Sequence, residues 1–167
     1  MKNLWIFLTI ILLVMPLVGC SNSGDLDYYE VLPLNFLDGT WKSSFNEIFI
    51  FAADTLEHKY DTTQMFTAKI HEIGSWSSDN TSGIVIIEYT WTTDDTGWGS
   101  PWAKNPVGLD FTAVYFTNKT VNSVELASAA DVNYQTPTKA SVAAVRLYFT
   151  VHNVGTYFNN TSACEKQ

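Results

Sequence analysis

Trp91, Trp98 and Trp102 fall within twelve residues, among Gly97, Gly99, Pro101 and Pro106, and Tyr89 precedes them. Indole and phenol rings bury large areas and keep a polar tip, so such a group can offer flat apolar surface to a ligand or a partner. The same rings can also fold a long loop back onto a core, and both readings stand. Tyr89, Trp91, Trp98 and Trp102 are the candidate ligand or partner surface. Other chemistry finds no complete motif. His71-Glu72 begins a zincin-like string, but Ser75 stands where the second histidine would be. His58 and His152 are isolated and read as structural. Asp94-Asp95-Thr96-Gly97 lacks the ligand ladder of a calcium loop. Gly97-Trp98-Gly99-Ser100 is not a nucleophile elbow, and Cys164 has no base that the sequence places beside it. No Gly-rich phosphate loop is present. The expectation is a protein without enzymatic activity, cofactor or metal.

Cys20 is the other residue with chemistry to do. Ahead of it stand Lys2, an apolar run from Leu4 to Pro16 broken only by Thr9, and Leu17-Val18-Gly19. A charged start, an apolar stretch and a small residue before the cut are the layout of a secretory signal. The run is shorter than the 20 or so residues that a spanning helix needs. Leu17-Val18-Gly19-Cys20 resembles the lipobox of bacterial lipoproteins. The resemblance implies cleavage before Cys20, acylation of its thiol by palmitate-class chains, and membrane attachment in the bacterial cell envelope. Ser21 after the cysteine points, by analogy with enteric sorting, to the outer rather than the inner membrane.

The bounds fit that address. Nine basic residues, one of them Lys2, stand against 17 acidic ones, so the part after residue 19 carries 8 − 17 = −9. An acidic chain without a basic cluster excludes nucleic acid, whose affinity comes mostly from phosphate neutralisation. With Cys20 acylated, Cys164 has no intrachain partner, and a disulfide framework is excluded. Asn80, Asn118 and Asn160 stand in Asn-x-Ser/Thr triplets and read as turn formers.

Along the chain, residues 1–19 read as a signal, 20–37 as a lipid-anchored tether whose apolar end from Tyr28 to Leu37 can dock, 38–158 as the folded domain and 159–167 as a polar tail. Strands are expected at Thr40–Ser43, Glu47–Phe51, Gln64–Ile73, Ile84–Trp91, Leu109–Phe116 and Ser123–Ala127, from alternation and β-branched or aromatic content. On Gln64–Ile73 one face carries Met65, Thr67, Lys69 and His71, and the other Phe66, Ala68, Ile70 and Glu72. Thr136 as N-cap and Pro137 at the first helical position predict a helix to about Phe149. A short strand is expected at Thr156–Phe158.

The fold expected from these strands is an antiparallel barrel or strongly curved sheet of six to eight strands with one C-terminal helix, a β-sandwich being second. Gly39-Thr40-Trp41 resembles the Gly-x-Trp signature of lipocalins, which implies that Trp41 plugs one barrel end beneath an arginine from a late strand. The only arginine here is Arg146, on the predicted helix. The order of Gly-Thr-Trp, Gly83–Tyr89, Val114–Phe116, Asn122–Ala127 and a terminal helix is similar to spirochaete-type envelope lipoproteins with lipocalin-like barrels, whose function is unassigned. The functional expectation is a lipid-anchored, non-enzymatic envelope lipoprotein with a structural or surface-interaction role. The alternative is a lipocalin-like carrier of a small apolar ligand.

Overall fold

A computed structural model describes residues 28–93, 110–133 and 135–167. Nine strands run in chain order: β1 (Glu30–Leu32), β2 (Gly39–Ser43), β3 (Glu47–Ala52), β4 (Thr55–Tyr60), β5 (Thr63–Ser75), β6 (Gly83–Thr92), β7 (Phe111–Thr117), β8 (Ser123–Ser128) and β9 (Ser162–Lys166). From β2 to β9 each strand pairs antiparallel with the next or, across the helices, with its neighbour in the order, and β9 closes on β2. The result is a closed eight-stranded antiparallel barrel, lipocalin-like in form. Closure removes the free edges that an open sheet would present. The ninth strand, β1, lies against β5 where β4 has ended, pairing Glu30 with Ser75 and Leu32 with Ile73.

Period-2 alternation sends one set of side chains inward. Trp41, Phe49, Phe51, Leu56, Phe66, Ala68, Ile70, Ile73, Val85, Ile87, Tyr89, Val114, Phe116, Val124, Leu126 and Cys164 fill the interior, with Leu32 and Leu37 from the N-terminal segment. A second core forms outside the barrel. Ile84 and Ile86 of β6, Ala113 of β7 and Ala127 of β8 meet Val145, Phe149 and Phe158 from the helical segment. That is why Ile84-Val85-Ile86-Ile87 is apolar without alternation: β6 is covered on both faces.

The helical segment differs from the expectation. Helix α1 spans Val142–Tyr148, and Ser141, not Thr136, is its N-cap, accepting from the Ala144 N–H. Residues 136–139 stay extended because Lys139 and Phe111 exchange both backbone bonds, each 2.8 Å. A 3₁₀ turn (Val151–Asn153) and the single-turn α2 (Val154–Tyr157) come next, so Thr156–Phe158 is not a strand. The terminal strand lies further on, and residues 159–167 are not a tail outside the domain: Ser162–Lys166 is β9, with buried Cys164 opposite Ser43 and Val124. The domain also begins earlier than residue 38. Tyr28–Leu37 does dock, through β1 and fully buried Leu37. Asn80 and Asn118 sit in turns at positive φ, 58° and 51°, a conformation asparagine tolerates.

Two bulges in the β5–β6 ladder rewrite the alternation. Thr90 is an extra residue on β6, between the pairs Ala68–Tyr89 and Thr67–Trp91. His71 is extra on β5, between Ile70–Ile87 and Glu72–Ile86. Each inserted residue flips the remainder of its strand to the other face. Glu72, expected beside Ile70, therefore faces outward. There it accepts from the Tyr29 hydroxyl at 2.5 Å and from Arg146, through Nε at 3.0 Å and also through Nη2. The sole arginine thus ties α1, β5 and the N-terminal segment together outside the barrel. Tyr29 lies so close over Gly74 that a Cβ there would stand 2.1 Å from its hydroxyl oxygen. Glycine is required at 74 for this contact.

Candidate functional site

Each end of the barrel carries a distinct group. At one end, Trp41 is fully buried and donates its indole N–H to the Leu37 carbonyl at 2.7 Å. The Pro33–Leu37 turn crosses this end, and Phe36 packs on Phe116 at 5.9 Å. No arginine lies over the indole. Two lysines do: Lys166 Nζ, from β9, at 5.2 Å from the ring centroid and Lys119 Nζ, from the β7–β8 turn, at 5.3 Å. Trp41 thus lies beneath cations from a late strand and a late turn.

The opposite end is polar inside. Inward positions there hold Ser43, Glu47, His58 and Ser162, with Cys164 below. His58 is buried, stacks on Phe49 at 4.3 Å and meets Phe66 at 5.1 Å, and Phe66 meets Tyr89 edge-on at 5.1 Å. His58 Nε2 lies 3.7 Å from Glu47 Oε1, and the Ser162 hydroxyl donates to Glu47 Oε2. Ser43 Oγ accepts from the backbone N–H groups of Phe45 and Glu47. The His58 ring and the Ser162 hydroxyl hold the Glu47 carboxyl below its usual range, against burial, which raises it. Burial, and then the Glu47 charge, push the Cys164 thiol up to about 12, so at neutral pH it is a protonated core residue and a poor nucleophile. Sequence reasoning misses this cluster. The single signal for it is that Glu47 and His58 each sit at an inward place on adjacent strands.

Tyr89 is a correction. The aromatic pattern places it on a surface, but it is buried in the barrel interior with its hydroxyl hydrogen-bonded to Thr136, and burial drives that hydroxyl well above its ordinary pKa. Thr112 Oγ1 donates to the Pro137 carbonyl at 2.9 Å, so the extended 136–139 stretch crosses this end. Trp91 is exposed on the outer face, where the Thr90 bulge has turned it. Tyr89 and Trp91 therefore do not share a surface. Trp98, Trp102 and Cys20 lie outside the described residues, as do Asp94–Gly97.

The remaining candidates are dispersed. His71 pairs with Glu88 at 2.8 Å on the outer face, and His152 is exposed. Among the described residues no group of three His, Cys, Asp or Glu is placed to hold a metal ion, and no helix is long and apolar enough to cross a membrane. No family model, curated protein or solved structure matches the chain. The fold and these two ends are what define its class: a closed eight-stranded antiparallel barrel whose described inward side chains form one buried cluster.

The Glu47 cluster makes a pH prediction. A carboxyl whose folded pKa lies below its unfolded value, near 4.3 for a free glutamate, stabilises the fold above that value. The contribution is lost as pH falls through the folded pKa. The urea midpoint should drop between about pH 6 and pH 3, and Glu47→Gln should drop less over the same range. Parallel pH profiles for the two proteins would remove Glu47 from that role.

Proposed function

We propose that this chain is a lipid-anchored lipoprotein of the bacterial cell envelope, without enzymatic activity, acting through its outer surface in a structural or interaction role. The observation that carries the reading is the packed interior. Among the described residues one continuous cluster of buried side chains runs through the barrel, which favours side chains over a ligand as its content in a barrel of eight strands. Both ends are crossed by the chain itself, by Pro33–Leu37 and by residues 136–139. Cys164 is buried with its thiol held protonated, which leaves Cys20 as the cysteine for acylation. The anchor itself rests on the Leu17-Val18-Gly19-Cys20 sequence. Two or more acyl chains give stable attachment, at about 0.8 kcal/mol per buried CH₂.

Two measurements test this. Metabolic labelling with a palmitate analogue should mark the wild type and not Cys20→Ala, which should also keep its signal segment; equal labelling would sink the anchor. Native mass spectrometry of the protein taken from its own cells should show the acylated chain alone. A stoichiometric apolar adduct beyond the acyl chains would favour the carrier alternative.

A further inference from the structure

The chain leaves the folded domain at a defined place. Glu30 pairs with Ser75 at the far end of β5, so Tyr28 emerges beside the β5–β6 turn. That turn belongs to the Trp41 end. The Asn118–Asn122 turn is tied to it through the Lys119 N–H and the Thr81 carbonyl at 3.1 Å, and Lys166 donates its N–H to the Asn122 carbonyl at 2.9 Å. The Ala53 N–H donates to Asp38 at the same end. Only residues 21–27 separate Cys20 from Tyr28, a span of at most about 28 Å fully extended. The Tyr89 end lies a strand's length further out.

Two cations meet on this face among several carboxylates. Lys119 and Lys166 converge over Trp41, and among the described residues neither has a carboxylate within ion-pair distance. Burial and the Lys166 charge both lower the Lys119 pKa, so an anion between the two ammonium groups would relieve an existing repulsion. Val121, 80% exposed, and Leu34 add apolar side chains at the rim. The carboxylates at this end are partly engaged: Asp38 caps the Ala53 N–H, Asp79 binds Thr81, and Glu30 accepts from Tyr28. Asp54 is exposed.

We propose that the Trp41 end is the face this protein lays on the headgroup region of its own membrane, with Lys119 and Lys166 contacting lipid phosphate. The proposal rests on the lipid-anchor reading. It leaves the Glu47–His58–Tyr89 end facing away from the bilayer.

The test uses the full-length acylated protein in vesicles of phosphatidylethanolamine and phosphatidylglycerol doped with a headgroup nitroxide. An environment-sensitive fluorophore is placed at Val121→Cys or, at the opposite end, at Thr62→Cys. Native Cys164 is 2% exposed and stays unlabelled. The nitroxide should quench the probe at 121 and leave that at 62 bright. A lysine near an anionic leaflet is worth about fivefold in binding, so Lys119→Gln with Lys166→Gln should lower the docked-to-undocked ratio about 25-fold. The arginine pair at the same positions should restore it, which separates lost charge from lost folding. Equal quenching at 121 and 62, or full quenching at 121 in the folded double glutamine variant, overturns the proposal. Intact mass distinguishes the two failures: an unmodified Cys20 overturns the anchor and this orientation together, whereas an acylated chain with equal quenching overturns the orientation alone.

Discussion

A chain ending at Thr161 should fail to fold. Removing Ser162–Gln167 deletes β9, and with it the ladders to β2 and β8. Each lost backbone bond costs about 0.5–1.5 kcal/mol net. The deletion also bares Trp41, Val124 and Leu126, which are at most 1% exposed; full burial of such side chains contributes about 1.5–3 kcal/mol each. It further removes Cys164 from the core, the Ser162 bond to Glu47 and the Lys166 ammonium over Trp41. The sum approaches or exceeds the roughly 5–15 kcal/mol that holds a typical domain. Near-UV circular dichroism and size-exclusion chromatography should show lost tertiary signal and self-association. A cooperative melt within a few degrees of the full chain would mean that β9 is dispensable.

Ile86→Asp should be nearly as damaging, for a different reason. Ile86 is fully buried, but it faces the second core under the helical segment, not the barrel interior. A carboxylate there would sit in an apolar cluster opposite Glu72, whose charge already holds Arg146, and the transfer penalty is several kcal/mol or more. The expected result is loss of the cooperative unfolding transition. Ile86→Val removes one methylene and should cost about 0.5–1.5 kcal/mol, which calibrates the site. Glu88, two residues on and on the same face, shows where the apolar cover ends, since it is half-buried and paired with His71. A melting temperature for Ile86→Asp close to wild type would place Ile86 outside any core.

The strands legible in the sequence are β2, β3, β5, β6, β7 and β8, whose central inward residues are apolar or aromatic even where an end position such as Ser43, Glu47 or Thr112 is polar. The three that stay hidden share one trait. In β4 the inward residues are Leu56 and His58, and in β9 they are Ser162, Cys164 and Lys166, so neither shows alternation. β1 contributes one buried residue, Leu32. Helix grammar at Thr136-Pro137 is overruled by a tertiary contact, the Lys139–Phe111 bridge. Of the candidate site, Trp41 is legible because Gly-Thr-Trp sits on a regular strand. Tyr89 and Trp91 are not separable, because nothing local marks Thr90 as the bulge that sends them to opposite faces. The Glu47–His58–Ser162 cluster joins residues up to 115 positions apart, and only barrel closure assembles it.

The double burial of β6 carries a cost outside the native state. Ile84-Val85-Ile86-Ile87 has no charge, no proline and four β-branched side chains, the composition from which steric zippers are built. In the folded protein β5 and β7 occupy both its edges, the barrel interior holds one face and the helical segment the other. If the helical segment lifts away, Ile84 and Ile86 become an apolar stripe open to a second molecule while the barrel is still closed. Solubility therefore depends on the docking of Val145, Phe149 and Phe158 as much as on the acidic surface. Weakening that contact should make the protein aggregate before it unfolds.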